Sequence, residues 1–182
     1  MIAAELMILA LVLSTMNKQS NAETPPAPVA LAHVSNSFHF LIHAPLSIAA
    51  PLFGPEGERS WAGAEWDPQF LYPRPAKDVQ GAVFTVQQGE RTSVWVNTRF
   101  DVDGGRMQYV SVVPGIRAST VDVRLAAVDA STTSVEVTYV RTALDGSANE
   151  EVQALGQNDR QEGPHWQEAI ETYLRGQRDR KH

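Results

Sequence analysis

Along the second half of the chain, apolar residues recur at every second position in five successive runs. Ala82, Phe84 and Val86 make the first, Val94, Val96, Thr98 and Phe100 the second, and Met107, Tyr109, Ser111 and Val113 the third. The fourth, Val121, Val123, Leu125 and Ala127 set against Asp122 and Arg124, is the cleanest. Val135, Val137, Tyr139 and Arg141 close the series. A period of two marks a strand with one buried face. Turn sequences separate the runs, among them Gln87-Gln-Gly-Glu-Arg91, Asp101-Val-Asp-Gly-Gly105, Pro114-Gly115 and Asp129-Ala-Ser131, so the spacing predicts an antiparallel meander. An earlier run, His33 to His43, puts Phe38, Phe40 and Ile42 on one face and His39, Leu41 and His43 on the other. It is available to complete the sheet.

The period changes after the last strand. Trp166, Ile170, Tyr173 and Leu174 fall on one helical stripe, while Glu168, Glu171 and Arg175 point away. A helix of that pattern needs a sheet to lie on, and the expected arrangement is a curved sheet gripping it with an apolar cavity between them. Ser147-Ala-Asn-Glu150 has the form of a capping box for an earlier helical piece carrying Val152 and Leu155. Gly156 and Gly163-Pro164 predict a break or kink near Pro164, because an interior proline removes a hydrogen bond and clashes with the preceding turn. The second piece is then expected to do most of the packing.

Between the first strand and the meander the character differs. Pro45, Pro51 and Pro55, with Glu56 and Glu58 suited to a helix N-terminus, predict two short helices near 45–53 and 55–61. Trp61, Trp66 and Phe70 follow, then Leu71-Tyr72-Pro73, with too little alternation to mark a strand.

Composition bounds the function. With 182 residues, 43% of them hydrophobic and 20% charged, the chain makes one domain with a sizeable core. A net charge of −6 with scattered basic residues argues against a nucleic-acid partner. The closing cluster of Arg175, Arg178, Arg180, Lys181 and His182 is expected to be a frayed, solvated tail, with 179–182 a basic tail beyond the domain. Without cysteine there is no disulfide, thiolate nucleophile or thiolate metal site. His39 and His43 stand about 13 Å apart along a strand, too far to share an ion, so no metal is expected. Asp101-Val-Asp-Gly104 lacks the remaining ligands of a calcium loop and is expected to be a hairpin turn.

Leu6-Met-Ile-Leu-Ala-Leu-Val-Leu13 is too short to span a bilayer, and Ser20-Asn-Ala22 provides small residues before Glu23. Residues 1–22 are therefore expected to be an export signal cleaved after Ala22, leaving no membrane span in a periplasmic or secreted mature chain. A start at Met7 or Met16 would shorten or remove the segment and leave the protein cytoplasmic. Thr24-Pro-Pro-Ala-Pro28 makes 23–32 an extended linker before a domain at 33–178.

Phe53-Gly-Pro-Glu-Gly-Glu-Arg-Ser-Trp61, Trp66-Asp-Pro-Gln-Phe-Leu-Tyr-Pro73 and Gly81-Ala-Val-Phe-Thr85 together resemble the opening of many bacterial members of the SRPBCC superfamily. That superfamily includes START domains, birch pollen allergen relatives, polyketide cyclases and ring-hydroxylase subunits. The resemblance continues through Val94-Trp95-Val96, Tyr109-Val110, Pro114-Gly115, Val137-Thr138-Tyr139 and Trp166, covering roughly 34–175. It implies an α+β helix-grip fold of six or seven antiparallel strands, two short helices and a C-terminal helix. It also implies a cavity for a hydrophobic or amphipathic small molecule, with no catalytic set common to the superfamily and no cofactor.

The candidate lining is Trp61, Trp66, Trp95, Tyr109, Tyr139, Arg141, Trp166, Ile170 and Tyr173. Trp95 has the parity opposite to Val94 and Val96, so it faces either the cavity or the outer surface. Arg141 shares the parity of Val137 and Tyr139; it either turns inward and needs an acid or ligand, or reaches solvent where the strand ends. Three functions remain open: a noncatalytic carrier, an enzyme using cavity Tyr, His or Arg groups, and a structural domain with a filled core. A purely apolar cavity favours the first, convergent polar groups with perturbed ionisation the second, and no cavity the third.

Overall fold

The computed structural model describes residues 29–180; the expected export signal and most of the linker lie outside them. Seven strands form one antiparallel sheet. They are β1 (His33–Ile42), β2 (Gln69–Tyr72), β3 (Val83–Gln88), β4 (Arg91–Asp101), β5 (Arg106–Val113), β6 (Arg117–Ala127) and β7 (Thr133–Ala143). Their order is β1-β7-β6-β5-β4-β3-β2, so the five alternating runs are the meander β3 to β7. β1 completes it by pairing with β7 along its whole length, from His33 opposite Thr142 to Ile42 opposite Thr133. Phe38, Phe40, Ile42, Phe84, Met107, Val121, Val123, Leu125, Val135 and Val137 line the concave face and form the main core. The Asp101–Gly105 turn is a hairpin, in which the Asp101 carboxylate accepts from the Gly104 amide at 2.8 Å.

Two strands differ from the sequence pattern for local reasons. Gln69–Tyr72 is an edge strand, although no alternation marks it, because a short edge paired on one side alone imposes little burial pattern. In β4 the expected shared face of Val94, Val96, Thr98 and Phe100 does not form. Ser93, Trp95 and Asn97 face the concave side, and Val94 is 38% exposed. A register shift between Asn97 and Arg99 then lets Phe100 return to the core, as a bulge reverses parity.

The short helices are α1 (Leu46–Ala49), running into a 3-10 turn at Ala50–Phe53, and α2 (Pro55–Glu58). α2 ends three residues before the expected Trp61; two further turns carry the chain there, closed by Trp61 and Ala62 amides on the Glu58 carbonyl. A distant carboxylate holds its start: Asp78 accepts from the Glu56 amide at 2.9 Å and the Gly57 amide at 3.1 Å.

The C-terminal helical region is divided as expected, into α3 (Asn149–Asp159) and α4 (Glu162–Asp179). Pro164 sits in the first turn of α4, where its missing N–H has no helical partner to lose. Both glycines also have a packing role. A Cβ on Gly156 would stand 2.9 Å from Val34 and Asn36, and one on Gly163 would stand 3.0 Å from the His39 carbonyl, so their absence lets both helices approach β1. α3 consequently packs on the sheet in its own right, and α4 does not carry most of the contact. Val152 is fully buried with Ala143 and Ala148 against Val34 and Ile116.

Three further expectations are corrected. Asp145, rather than Ser147, makes the cap before α3, its carboxylate accepting from the Ser147 amide at 2.9 Å and hydroxyl at 2.7 Å. An acid already extended at the start of the turn reaches both donors at once. Glu171 does not point away from the sheet: it is buried and accepts from the His43 amide at 2.6 Å. That bond satisfies the amide where the chain bends after β1. The basic end is not simply a tail, since α4 continues through Asp179 with Arg175 and Arg178 exposed along it.

Candidate functional site

Register builds the site. On the concave face, Trp95 lies opposite Ser111, Ser111 opposite Ser119, and Ser119 opposite Arg141. The next row reads Tyr109, Val121 and Tyr139. α2 and the turns after it bring Glu58, Trp61 and Trp66 over these rows, while α3 and α4 bring Leu155, Glu162, His165 and Trp166. A cavity of about 500 Å³ remains between them. Ala62, Glu65 and His165 are exposed at its rim.

The upper walls are aromatic. Trp166 stands 5.2 Å from Trp61 and 5.3 Å from Phe38, centroid to centroid, and Trp66 stands 5.6 Å from Trp95. Protein groups already take three of the four indole N–H donors: Trp61 donates to the Leu52 carbonyl, Trp66 to the Pro55 carbonyl and Trp95 to the Ser93 hydroxyl. These rings therefore offer apolar surface to an occupant without leaving a buried donor unpaired.

Polar and charged groups line the cavity beside Val121, Val123 and Leu155. Arg141 turns inward, donating from Nη2 to Asp159 at 2.6 Å, with its guanidinium 4.0 Å above the Tyr139 ring. Arg117 donates to Glu151 Oε1 at 2.5 Å, and Arg91 donates to the other oxygen at 2.6 Å. Tyr109 donates to the Phe53 carbonyl at 2.5 Å, tying the sheet to the 3-10 turn. Burial, with Glu58 and Asp78 nearby, holds its phenol well above the usual tyrosine range, and burial likewise raises Tyr139. Burial lowers Arg117, and Arg141 and Arg91 add repulsion.

Glu58 is the most perturbed acid of the site. Burial, and then the charge of Asp78, push its carboxyl well above the ordinary glutamate value, so the neutral form is favoured. An acid that holds its proton more tightly folded than unfolded opposes folding as pH rises through the interval between those two values. Stability in urea should therefore carry a falling component above about pH 4.3, the unfolded glutamate value. Glu58→Gln should remove that component and stabilise the protein at neutral pH relative to pH 4. An unchanged pH profile would show that the carboxyl is solvated.

Seven of the nine candidates meet around the cavity: Trp61, Trp66, Trp95, Tyr109, Tyr139, Arg141 and Trp166. Ile170 and Tyr173 do not. Ile170 is fully buried in the core and Tyr173 packs against it, because both lie further along α4 than the cavity extends. Glu58, Ser111, Arg117, Ser119 and His165 also line the cavity. The signal for three of these was parity: Ser111, Arg117 and Ser119 are polar residues at inward positions of strands.

No protein-family model matches the chain, and no curated protein matches it. Solved structures do. An uncharacterised protein from Rhizobium leguminosarum aligns with a TM-score of 0.57 at 17% identity, covering 80% of this chain and 97% of its own. Norcoclaurine synthase from Thalictrum flavum aligns at 0.55 with 7% identity, over 94% of this chain and 98% of that one. Ara h 8.0201 aligns at 0.52 with 15% identity, over 80% and 99%. The likeness is one of fold: this chain has the α+β helix-grip architecture of the birch-pollen-allergen and START-like proteins. Among the described residues, no helix is long and apolar enough to cross a membrane.

Proposed function

We propose that the protein binds and carries one small amphipathic molecule in the cavity between the sheet and its helices. The observation that carries this reading is a space of about 500 Å³ walled by Trp61, Trp66, Trp95 and Trp166. That volume lies within the roughly 300–1,000 Å³ of small-molecule sites, and it weighs against a domain with a filled core. We read the carrier as working outside the cytoplasm, on the strength of the leader-like 1–22 segment alone. N-phenyl-1-naphthylamine, a neutral apolar dye, should bind the folded protein at about one site with roughly micromolar affinity and quench tryptophan emission. Near-ultraviolet circular dichroism should stay native throughout. Binding confined to partly unfolded protein would mean that the interior is closed, and the carrier reading would fall with it.

One observation favours a second reading, an enzyme of the cyclase or hydrolase type. Glu58 is a carboxyl biased towards its protonated form at the cavity wall, which is what a general acid requires. Norcoclaurine synthase is an enzyme of the same fold, so the architecture is compatible with catalysis. Under this reading Glu58→Gln abolishes turnover and leaves dye affinity unchanged.

A further inference from the structure

One end of the cavity is chemically unlike its aromatic walls. Ser111 and Ser119 stand opposite each other across β5 and β6, with Arg141 next across on β7 and Arg117 two residues before Ser119. Both serines are more than nine-tenths buried, at 6% and 5% exposure, and both line the cavity. Among the described residues the sealed-off side-chain atoms without a partner belong to Asn97, Arg141 and Asp159, and the two serine oxygens are not among them. Two hydroxyls on neighbouring strands at the cavity wall can both donate to one occupant.

Charge defines that occupant further. Arg91 and Arg117 share Glu151, whereas Arg141 is held by Asp159. Glu151 is thus divided between Arg117 and the half-exposed Arg91 outside the cavity, so Arg117 is only partly neutralised. The Arg141–Asp159 contact is also incomplete: a fork would satisfy two nitrogens and two oxygens, but Arg141 Nε and Asp159 Oδ2 are buried with no partner. The other charged groups of the lining add little fixed negative charge beside these arginines. Glu65 and His165 are exposed at the rim, Glu162 has 38% of its side chain in solvent, and Glu58 is held towards neutrality by burial.

We propose that this end of the cavity is a headgroup site for a monoanion, the carboxylate of an aromatic or aliphatic acid. Arg141 and Arg117 supply the charge, the Ser111 and Ser119 hydroxyls donate to the carboxylate oxygens, and the apolar body lies against Trp61, Trp66 and Trp166. A dianion would bring a second negative charge for which the lining holds no further arginine. The inference rests on the cavity being a binding site, and it adds the class of ligand.

Two dyes that share one aromatic body separate the claims. 8-Anilinonaphthalene-1-sulfonate carries a compact monoanion, and N-phenyl-1-naphthylamine lacks it. Titrated against the intact protein by tryptophan quenching, the sulfonate should bind at least about tenfold more tightly. The Ser111→Ala/Ser119→Ala variant and, separately, Arg117→Gln, which leaves Glu151 paired with Arg91, should reduce that preference several-fold while leaving the neutral dye unaffected. Dodecanoate should displace the sulfonate at lower concentration than dodecanol or dodecyl phosphate. Equal affinity for the two dyes, or variants that keep the full preference, would overturn the headgroup site and leave the carrier reading standing. Stronger displacement by dodecyl phosphate than by dodecanoate would overturn the monoanion. If neither dye binds the folded protein, both readings fall.

Discussion

Arg141→Met will destabilise the protein by about 3–5 kcal/mol in urea denaturation, the cost of leaving a buried charge without its partner. Asp159 is 3% exposed, and Arg141 is its only hydrogen-bond partner among the described residues. Burial already raises the Asp159 carboxyl above the usual aspartate range, and the arginine opposes that rise. With the arginine gone, the acid is relieved by taking up a proton, so the loss should shrink as pH falls towards 4. Arg141→Met combined with Asp159→Leu should recover most of the stability, since replacing both partners by apolar groups of similar size is often neutral. A single-variant loss below about 1 kcal/mol would place the pair in solvent, at variance with its burial.

Trp166→Ala is expected to cost a similar amount, about 3–5 kcal/mol, for a different reason. The indole is only partly buried, yet it joins α4 to three other parts of the chain. Its ring centroid lies 5.3 Å from Phe38 and 6.5 Å from Phe40 on β1, 6.4 Å from Phe53 on the 3-10 turn, and 5.2 Å from Trp61 after α2. Alanine would leave those rings facing a hole that fixed sheet and helix geometry cannot collapse to fill. Because the same indole walls the cavity, the neutral dye should bind at least several-fold more weakly to the folded variant. A loss below about 1 kcal/mol would show that the helix is anchored elsewhere, through Ile170 and Leu174.

The strands that alternate were legible because each has one face on the core. Phe38 to Ile42, Met107 to Val113 and Val121 to Leu125 needed no tertiary information. What escaped was set by geometry acting across the chain. Parity in β4 is reversed by a shift opposite β5, and no residue within β4 announces it. β2 is a strand only because β3 offers it an edge. Glu171 looks like a solvent-facing helix position, and only the bend after β1 supplies the amide that draws it inward. At the site, large aromatics were visible as apolar residues needing cover. Ser111 and Ser119 were not, since a small hydroxyl on an inward strand position acquires meaning only when the residue across the ladder is known.

Of the described strands, β1 is made first and is the last to find its partner. His33 and Thr142 meet across 109 residues of sequence. At synthesis rates of about 5–20 residues per second, β1 waits roughly 5–20 s after it is made before β7 exists to pair with it. Throughout that interval Phe38, Phe40 and Ile42 have no Val135 or Val137 beside them and no α4 above them. β3 to β6 can meanwhile form as successive hairpins, each needing only its neighbour. A newly made chain therefore carries a sticky N-terminal strand through most of its own synthesis, and a holding factor that recognises an extended aromatic segment would find its site there.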